Sequence, residues 1–535
     1  MYRRLVLVAL LCTGFLGPVA TATASTSTST SARGAITGVY PNPATDGDRG
    51  ECVVVHLPSS DGGNWSLSDG EDVLALPSNR STGRIAISDD PTVACRRTNA
   101  TSIAVDDALE LSNAGETVAL RTNGTVVDSV TYPDAPEARW YRNGSWHPLG
   151  ETDFAAATVE ARNATVFVLP DAPSAAIAPI RNASSRIFLA GYSFTSERVT
   201  RALRAAANRG VEVRVLLDAS PVGGLTRREA RLLDDLTEAG VEVRVLGGPR
   251  ARYAFHHAKY AVVDDRAVVL TENWKPAGVG GRSSRGWGVV LDEPTADRLT
   301  RVFEADASAP DALRWQDYRT DHEFAPAREP GSTRSYPERF RPRQVPVDRV
   351  EVLVSPDNAG TRTIDLLRSA DDSIRIEQVR IDGRKDPFLQ ATLGAARRGV
   401  TVEILLSSAW YTREDNRRLA ERLRRLADRE DLPLSVRLTD PRSEFEKVHA
   451  KGVVVDGDVA IVGSLNWNEE SWRRNREVVL AVHSPEAAAY FERVFRADWR
   501  GGAWRLTVGF LVGVALACLV AVGVLRRWVS FDRSA

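Results

Sequence analysis

Apolar runs of period two, separated by Gly-, Asn- and Asp-rich turns, fill the stretch from Ile36 to Tyr132: ECVVVHL at 51–57, DVLALP at 72–77, RIAIS at 84–88 and TVALRTNGTVVDSVTY at 117–132. Alternation of this kind predicts half-buried strands. The last run is a hairpin around Asn123-Gly124, a pair suited to the positive φ angles of a tight turn. A small all-β sandwich over residues 36–135 is predicted.

The period changes from about Val166. IFLAGYSF (187–194), VEVRVLLD (211–218) and VEVRVLG (241–247) read as strands, and VTRALRAAANRG (199–210) and RREARLLDDLTEAG (227–240) as helices closed by glycine. Strands alternating with helices predict βαβ units and a mainly parallel sheet. A second pass follows in VEVLVS, SIRIEQVRI, FLQATLGAARRG (388–399), TVEILLS and RRLAERLRRLAD. RGVEVRVLL and RGVTVEILL lie 189 residues apart, which marks an internal duplication. The two copies occupy 160–310 and 348–500, and the Pro- and Arg-rich stretch 311–347 between them reads as a linker.

Both ends carry export signals. Arg3 and Arg4 precede an apolar run to Leu16 and then small residues, the pattern of a secretory signal peptide over 1–24, followed by a Ser/Thr spacer at 25–35. Leu506–Leu525 is uncharged and apolar between Trp504/Arg505 and Arg526/Arg527/Trp528, the length of one membrane-spanning helix with interfacial anchors. A cleaved signal and a single pass at 506–525 would place the folded part outside the cytoplasm, with 526–535 as a cytoplasmic tail. A sorting tail removed after export fits the same pattern.

Composition refines this picture. With 69 basic and 70 acidic side chains the net charge is −1, which excludes a polycationic nucleic-acid coat but not a local basic cleft. Seven N-x-[ST] sequons, from Asn64 to Asn182, crowd the first third of the chain and suit an exported surface. Cys12 and Cys518 fall in the apolar ends, leaving Cys52 and Cys95; one disulfide is the natural pairing in an oxidising compartment, two free thiols the alternative.

The chemistry lies in two matching segments, FHHAKYAVVDDRAVVLTENW and VHAKGVVVDGDVAIVGSLNW, which carry His257, Lys259 and Asp264, and His449, Lys451 and Asp456. With seven histidines and five lysines in the chain, chance gives roughly 0.07 His-x-Lys pairs. Two occur, at equivalent places, in a chain that writes almost every cation as arginine, so a compact ammonium is wanted there. On a strand, residues i and i+2 face one way, so each histidine projects beside its lysine. The hairpin that follows returns Ser464 and Asn466, or Thr271 and Asn273, beside that face. Imidazole, ammonium, amide and hydroxyl together suit a phosphate group. For Asp264 and Asp456 a turn-forming role weighs as much as a catalytic one.

H-x-K-x4-D written twice, the second followed by GSLNW, resembles the phospholipase D superfamily over roughly Val166–Trp499. The resemblance implies two α/β halves sharing one active site without a metal, a phosphohistidine on one histidine, and protonation of the leaving alcohol by the other. It also implies that Glu477 in RNREVVL (474–480) orients a histidine, whereas SRGWGVVL (284–291) puts Gly288 there. On that reading His257 lacks a partner and His449 is the favoured nucleophile. ITGVYPNP (36–43), NWSLSDG (64–70) and LSNAGETVALRTNGTVVDSVTY (111–132) resemble a lamin-tail domain, which implies an immunoglobulin-like sandwich that binds or attaches, its partner unspecified.

No cofactor is expected, since HExxH, paired Cys/His ligand spacings and GxxxxGK[ST] are missing from the sequence. The resulting expectation is an exported, membrane-anchored phosphodiesterase, with phospholipid favoured as substrate. A metal-independent nuclease acting on DNA and an inactive surface-binding protein are the alternatives.

Overall fold

The computed structural model describes residues 34–528 apart from 44–48, 59–62, 78–81, 92–99, 106–108, 138, 149, 153, 249–250, 327–333 and 502–507. The segment read as a signal peptide, and Cys95, lie outside the described residues.

The alternating N-terminal runs form two sheets, with a shared core in which Val55 and Ile85 of one meet Leu67 and Val118 of the other. The six-stranded sheet includes Arg139–Arg142 and Ser145–Pro148, so the β region reaches past residue 135. Asn123 (φ 48°) and Gly124 (φ 81°) make the expected turn between Glu116–Thr122 and Thr125–Tyr132. Cys52 is buried and disulfide-bonded.

The duplicated region forms two extended sheets. In the first, Arg186–Gly191, Glu212–Asp218 and Glu242–Leu246 pair in parallel, and in the second Ser373–Gln378, Thr401–Leu406 and Leu434–Leu438 do the same. The His-x-Lys strands and their hairpin returns add antiparallel to these triplets. Each sheet is therefore mixed rather than mainly parallel, because only the helix-connected strands need a crossover while the catalytic hairpin returns directly.

The halves are welded by strand exchange. Ala157–Glu160, before the first half, pairs with Arg349–Ser355 of the second sheet. Arg343–Pro346, before the second half, pairs with Asn163–Leu169 of the first. Ala312–Arg314 also extends the first sheet and Trp315–Thr320 is helical, so the segment expected as a linker is built into the fold at both ends. Between the sheets lie the helices Glu293–Ala307 and Pro485–Arg500, whose Leu299, Phe303, Phe491 and Val494 share one core with Val166, Trp287 and Val454.

Near the C-terminus, Val508–Trp528 is one helix, with its side chains exposed throughout 513–525. Among the described residues no helix is long and apolar enough to cross a membrane.

Candidate active site

Two backbone hydrogen bonds across the interface between halves fix the site. The N–H of His257 donates to the carbonyl of Arg476 (2.9 Å), and the N–H of His449 donates to that of Arg285 (2.9 Å). The two arginine side chains are fully buried and ion-paired: Arg476 with Asp306 (2.9 Å) and Asp357 (2.8 Å), Arg285 with Asp498 (2.7 Å) and Asp171 (2.5 Å). Each half thus anchors the histidine strand of the other through a charged cluster that water cannot reach.

On that frame the two His-x-Lys pairs meet. His257 points Nδ1 at both oxygens of Glu477, each at 2.9 Å. A carboxylate accepts, so Nδ1 carries the proton and Nε2 keeps its lone pair. The ring also packs edge-on against Tyr192 at 4.7 Å between centroids. His449 Nδ1 lies 3.2 Å from the Thr271 carbonyl, 3.4 Å from Glu272 Oε2 and 3.3 Å from Lys451 Nζ. Each lysine donates to the carbonyl of its own histidine, Lys451 at 2.8 Å.

Burial pushes both imidazoles down to about 4, helped by the neighbouring lysines and opposed by Glu477 at His257 and by Glu272 at His449. Burial also lowers Lys451 to about 8 and holds Lys259 well below the ordinary lysine range. Burial therefore favours neutral imidazoles and makes the charged form of both lysines costly. An anion placed among them would relieve the repulsion and raise all four affinities for protons.

Several sequence expectations change here. Glu477 was expected to serve within a single copy, leaving His257 unpartnered. It crosses the interface to His257 instead, so His257 is the better-oriented histidine and the argument that favoured His449 as nucleophile no longer holds. The comparison with Gly288 is also displaced by two residues. Thr271 N–H donates to Trp287 O (3.0 Å) just as Ser464 N–H donates to Val478 O (2.9 Å), so the equivalent of Glu477 is Gly286. Gly288 instead lies under the ring of Phe167, 2.3 Å from where its Cβ would be.

Asp264 and Asp456 lie apart from the histidines, five residues beyond each lysine. Both sit at positive φ (53°) in the hairpin turns, where their carboxylates accept main-chain N–H groups of Ser184–Arg186 and Asp371–Ser373. Five residues along a strand from the lysine is ~16 Å, too far to touch the same phosphate. The hydroxyls of Thr271 and Ser464 accept from the N–H groups of Trp287 (2.9 Å) and Val478 (3.0 Å), which ties each hairpin to the next strand. Asn273 and Asn466 are half-buried beside them, and Asn273 Oδ1 is buried without a partner among the described residues.

Sequence reasoning missed Glu272 and Tyr192. A signal for the first existed: LTENW has a charge where GSLNW has leucine. Tyr192, just past the strand Arg186–Gly191, gave none.

The family model described as "Cardiolipin synthase, PLD-like domain" matches residues 176–307 and 363–499, together just over half of the chain. The chain belongs to this phospholipase D-like family. Among solved structures it is similar to phosphatidylserine synthase from Haemophilus influenzae (16% identity, 66% of this chain and 88% of that one, TM-score 0.48). It is also similar to the phospholipase D family member Nuc from Salmonella typhimurium (20%, 30% and 98%, TM-score 0.26) and to NucT from Helicobacter pylori (18%, 28% and 96%, TM-score 0.25). No curated protein matches the chain. The phospholipase D-like halves of this chain are thus the two segments that supply the histidines.

Proposed function

We propose that this phospholipase D-like chain cleaves or exchanges phosphodiesters through a phosphohistidine on His257, with phospholipid as substrate. The observation that carries the reading is the meeting of His257, Lys259, His449 and Lys451 across one buried interface, with Glu477 holding the Nδ1 proton of His257.

The Nε2 lone pair of His257 attacks phosphorus, the bond to the leaving alcohol breaks, and that oxygen takes a proton from Nε2 of protonated His449. Water or an acceptor alcohol then gives its proton to His449, its oxygen attacks phosphorus, and the P–N bond breaks to restore His257. Lys259 and Lys451 neutralise the phosphoryl oxygens as charge builds, and bound anion keeps His449 protonated at neutral pH.

The rim of the site favours lipid. Val222 (80% exposed) and Trp410 (87% exposed) lie on the loops that follow the equivalent strands Glu212–Asp218 and Thr401–Leu406. The Val222 N–H bonds to Tyr192 Oη (2.6 Å), and Tyr192 packs on His257. Tyr411, next to Trp410, stacks under Lys447 Nζ (5.4 Å), two residues from His449. Exposed aromatic and aliphatic side chains on both lips suit insertion at a bilayer surface, and a valine offers nothing to a base.

The rest of the reading is an exported protein with a cleaved signal over 1–24, a Cys52–Cys95 disulfide, a lamin-tail-like immunoglobulin sandwich, and a single-pass anchor at 506–525 that keeps the site against the outer membrane surface. Head-group release from phosphatidylglycerol and phosphatidylethanolamine vesicles, and nicking of plasmid DNA, are assayed side by side in EDTA with His257→Ala as control. Release that needs His257 supports the proposal. DNA nicking without lipid turnover replaces it with the nuclease, and loss of neither activity in His257→Ala removes the site.

A further inference from the structure

The two halves hold their histidines with carboxylates from different strands. In the second half the carboxylate is Glu477, at the start of the strand Glu477–His483, and its neighbour across the hairpin, Leu465, is an apolar buried residue. In the first half the matching positions are Gly286 and Glu272, because Thr271 pairs with Trp287 as Ser464 pairs with Val478. The acid has moved one strand sideways, from the position of Glu477 to the position of Leu465. We infer that Glu272 is a relocated positioning residue that orients His449, and that Gly286 exists to make room for it.

Three observations support this. A Cβ on Gly286 would lie 2.2 Å from Glu272 Cγ and 2.8 Å from its Oε1, so the Glu272 side chain fills the volume that a residue-286 side chain would take. Gly286 is not in the left-handed region, so this volume, not backbone freedom, explains its glycine. Glu272 is 3% exposed and its Oε1 has no partner among the described residues, a costly state for a group that only fills space. Its other oxygen is 3.4 Å from His449 Nδ1. That contact is longer and single where Glu477 makes two at 2.9 Å, and Nδ1 is shared with the Thr271 carbonyl (3.2 Å) and with Lys451 Nζ (3.3 Å). His449 is thereby oriented but less tightly held, which suits a group that must give one proton and take one back in each turnover, whereas the attacking ring gains from rigid aim.

This rests on the phosphodiesterase reading for its activity arm but not for its spectroscopic one. Glu272→Leu copies the second half at position 272; Glu272→Leu with Gly286→Glu copies it at both positions. The expected result is a fall in kcat of at least 100-fold in the single variant, with KM changed less than threefold, and recovery to within tenfold of the parent in the double variant. Gly286→Glu alone is expected to be inactive and less stable, because two side chains then compete for one volume. In nitrogen-15 spectra of the imidazoles at pH 7, Glu272→Leu should shift the His449 Nδ1 signal and leave that of His257 in place, and the double variant should restore it. An unmoved His449 signal in a folded Glu272→Leu protein overturns the proposal, whether or not any substrate has been found. So does a folded double variant with neither signal nor rate restored. Parent protein that turns over no phosphodiester, yet shows the expected shifts, removes the enzymatic reading and leaves the relocated carboxylate standing.

Discussion

Replacing Glu477 by Gln keeps the size of the side chain and an oxygen that can accept from His257 Nδ1, but removes the charge. In the free protein that charge faces a neutral ring. Once Nε2 is bonded to phosphorus the ring is cationic, and the carboxylate, with both oxygens 2.9 Å from Nδ1, then neutralises it. Taking the centres of charge as about 4 Å apart and an effective dielectric constant of about 20, the attraction is about 4 kcal/mol. At 1.4 kcal/mol per decade this predicts a fall in kcat of about a thousandfold. KM should change little, because Glu477 touches the histidine rather than the substrate. The same charge raises the proton affinity of Lys259, so its loss should also move the alkaline limb of the rate profile to lower pH. Stopped-flow release of alcohol, with acid-quenched trapping of phosphoprotein, separates formation of the intermediate from its hydrolysis. The reasoning predicts slower formation. A Glu477→Gln protein within tenfold of the parent rate would refute it, and so would a defect confined to hydrolysis.

Four further outcomes follow from the geometry. Asp264→Ala and Asp456→Ala remove acceptors for main-chain N–H groups far from the phosphate, so thermal unfolding should shift by the equivalent of about 1–3 kcal/mol while kcat per folded molecule stays within twofold. Arg476→Met leaves Asp357 without its cation and Asp306 with only the longer pair to Arg252 (3.5 Å), and should cost about 3–5 kcal/mol in urea unfolding, more than any surface arginine. Lys451 is charged below about pH 8 and neutral above it, so inhibition by tungstate, a dianion whose charge is constant in this range, should weaken as pH rises through about 8; in Lys451→Arg that bend should vanish, because the guanidinium keeps its charge. Trp410→Ser combined with Val222→Ser should weaken turnover of vesicles at least tenfold and leave a soluble short-chain phosphodiester unaffected, and equal losses on both substrates would count against lipid docking at the rim.

Much of the fold was legible because its signals are local. Period-two runs, Gly-terminated helices and the Asn123-Gly124 turn each announce an element within a few residues, and the 189-residue repeat announces two of a kind. What the sequence hid is what depends on pairing between distant strands. The mixed sheets, the exchange of Ala157–Glu160 and Arg343–Pro346 between halves, and the structured ends of 311–347 are all pairings without a local signature. The site shows the same division. His257, Lys259, His449 and Lys451 could be picked out by composition and spacing, but not which carboxylate faces which histidine. The misassignment of Gly288 for Gly286 came from matching the apolar VVL runs, whereas hydrogen bonding makes Val478 the equivalent of Trp287. Side-chain type did not warn of this slip, since both positions are glycine.

The strand exchange also explains why an asymmetric pair of halves can keep one site. Were the halves joined only by side-chain packing, a shift of the acid from position 286 to 272 would leave His449 free to drift with the interface. Here the N–H of each histidine is hydrogen-bonded to the carbonyl of an arginine in the opposite half, and that arginine is ion-paired to a helix lying between the sheets. Main-chain position at the interface is therefore set without the carboxylates. Each acid has only to choose the tautomer and tilt of a ring already in place, and that can be done from either of two adjacent strands. On this account the first copy, although it lacks the Gly-Ser of the second, is altered rather than broken, and the two histidines differ in how firmly they are held because they differ in what they must do.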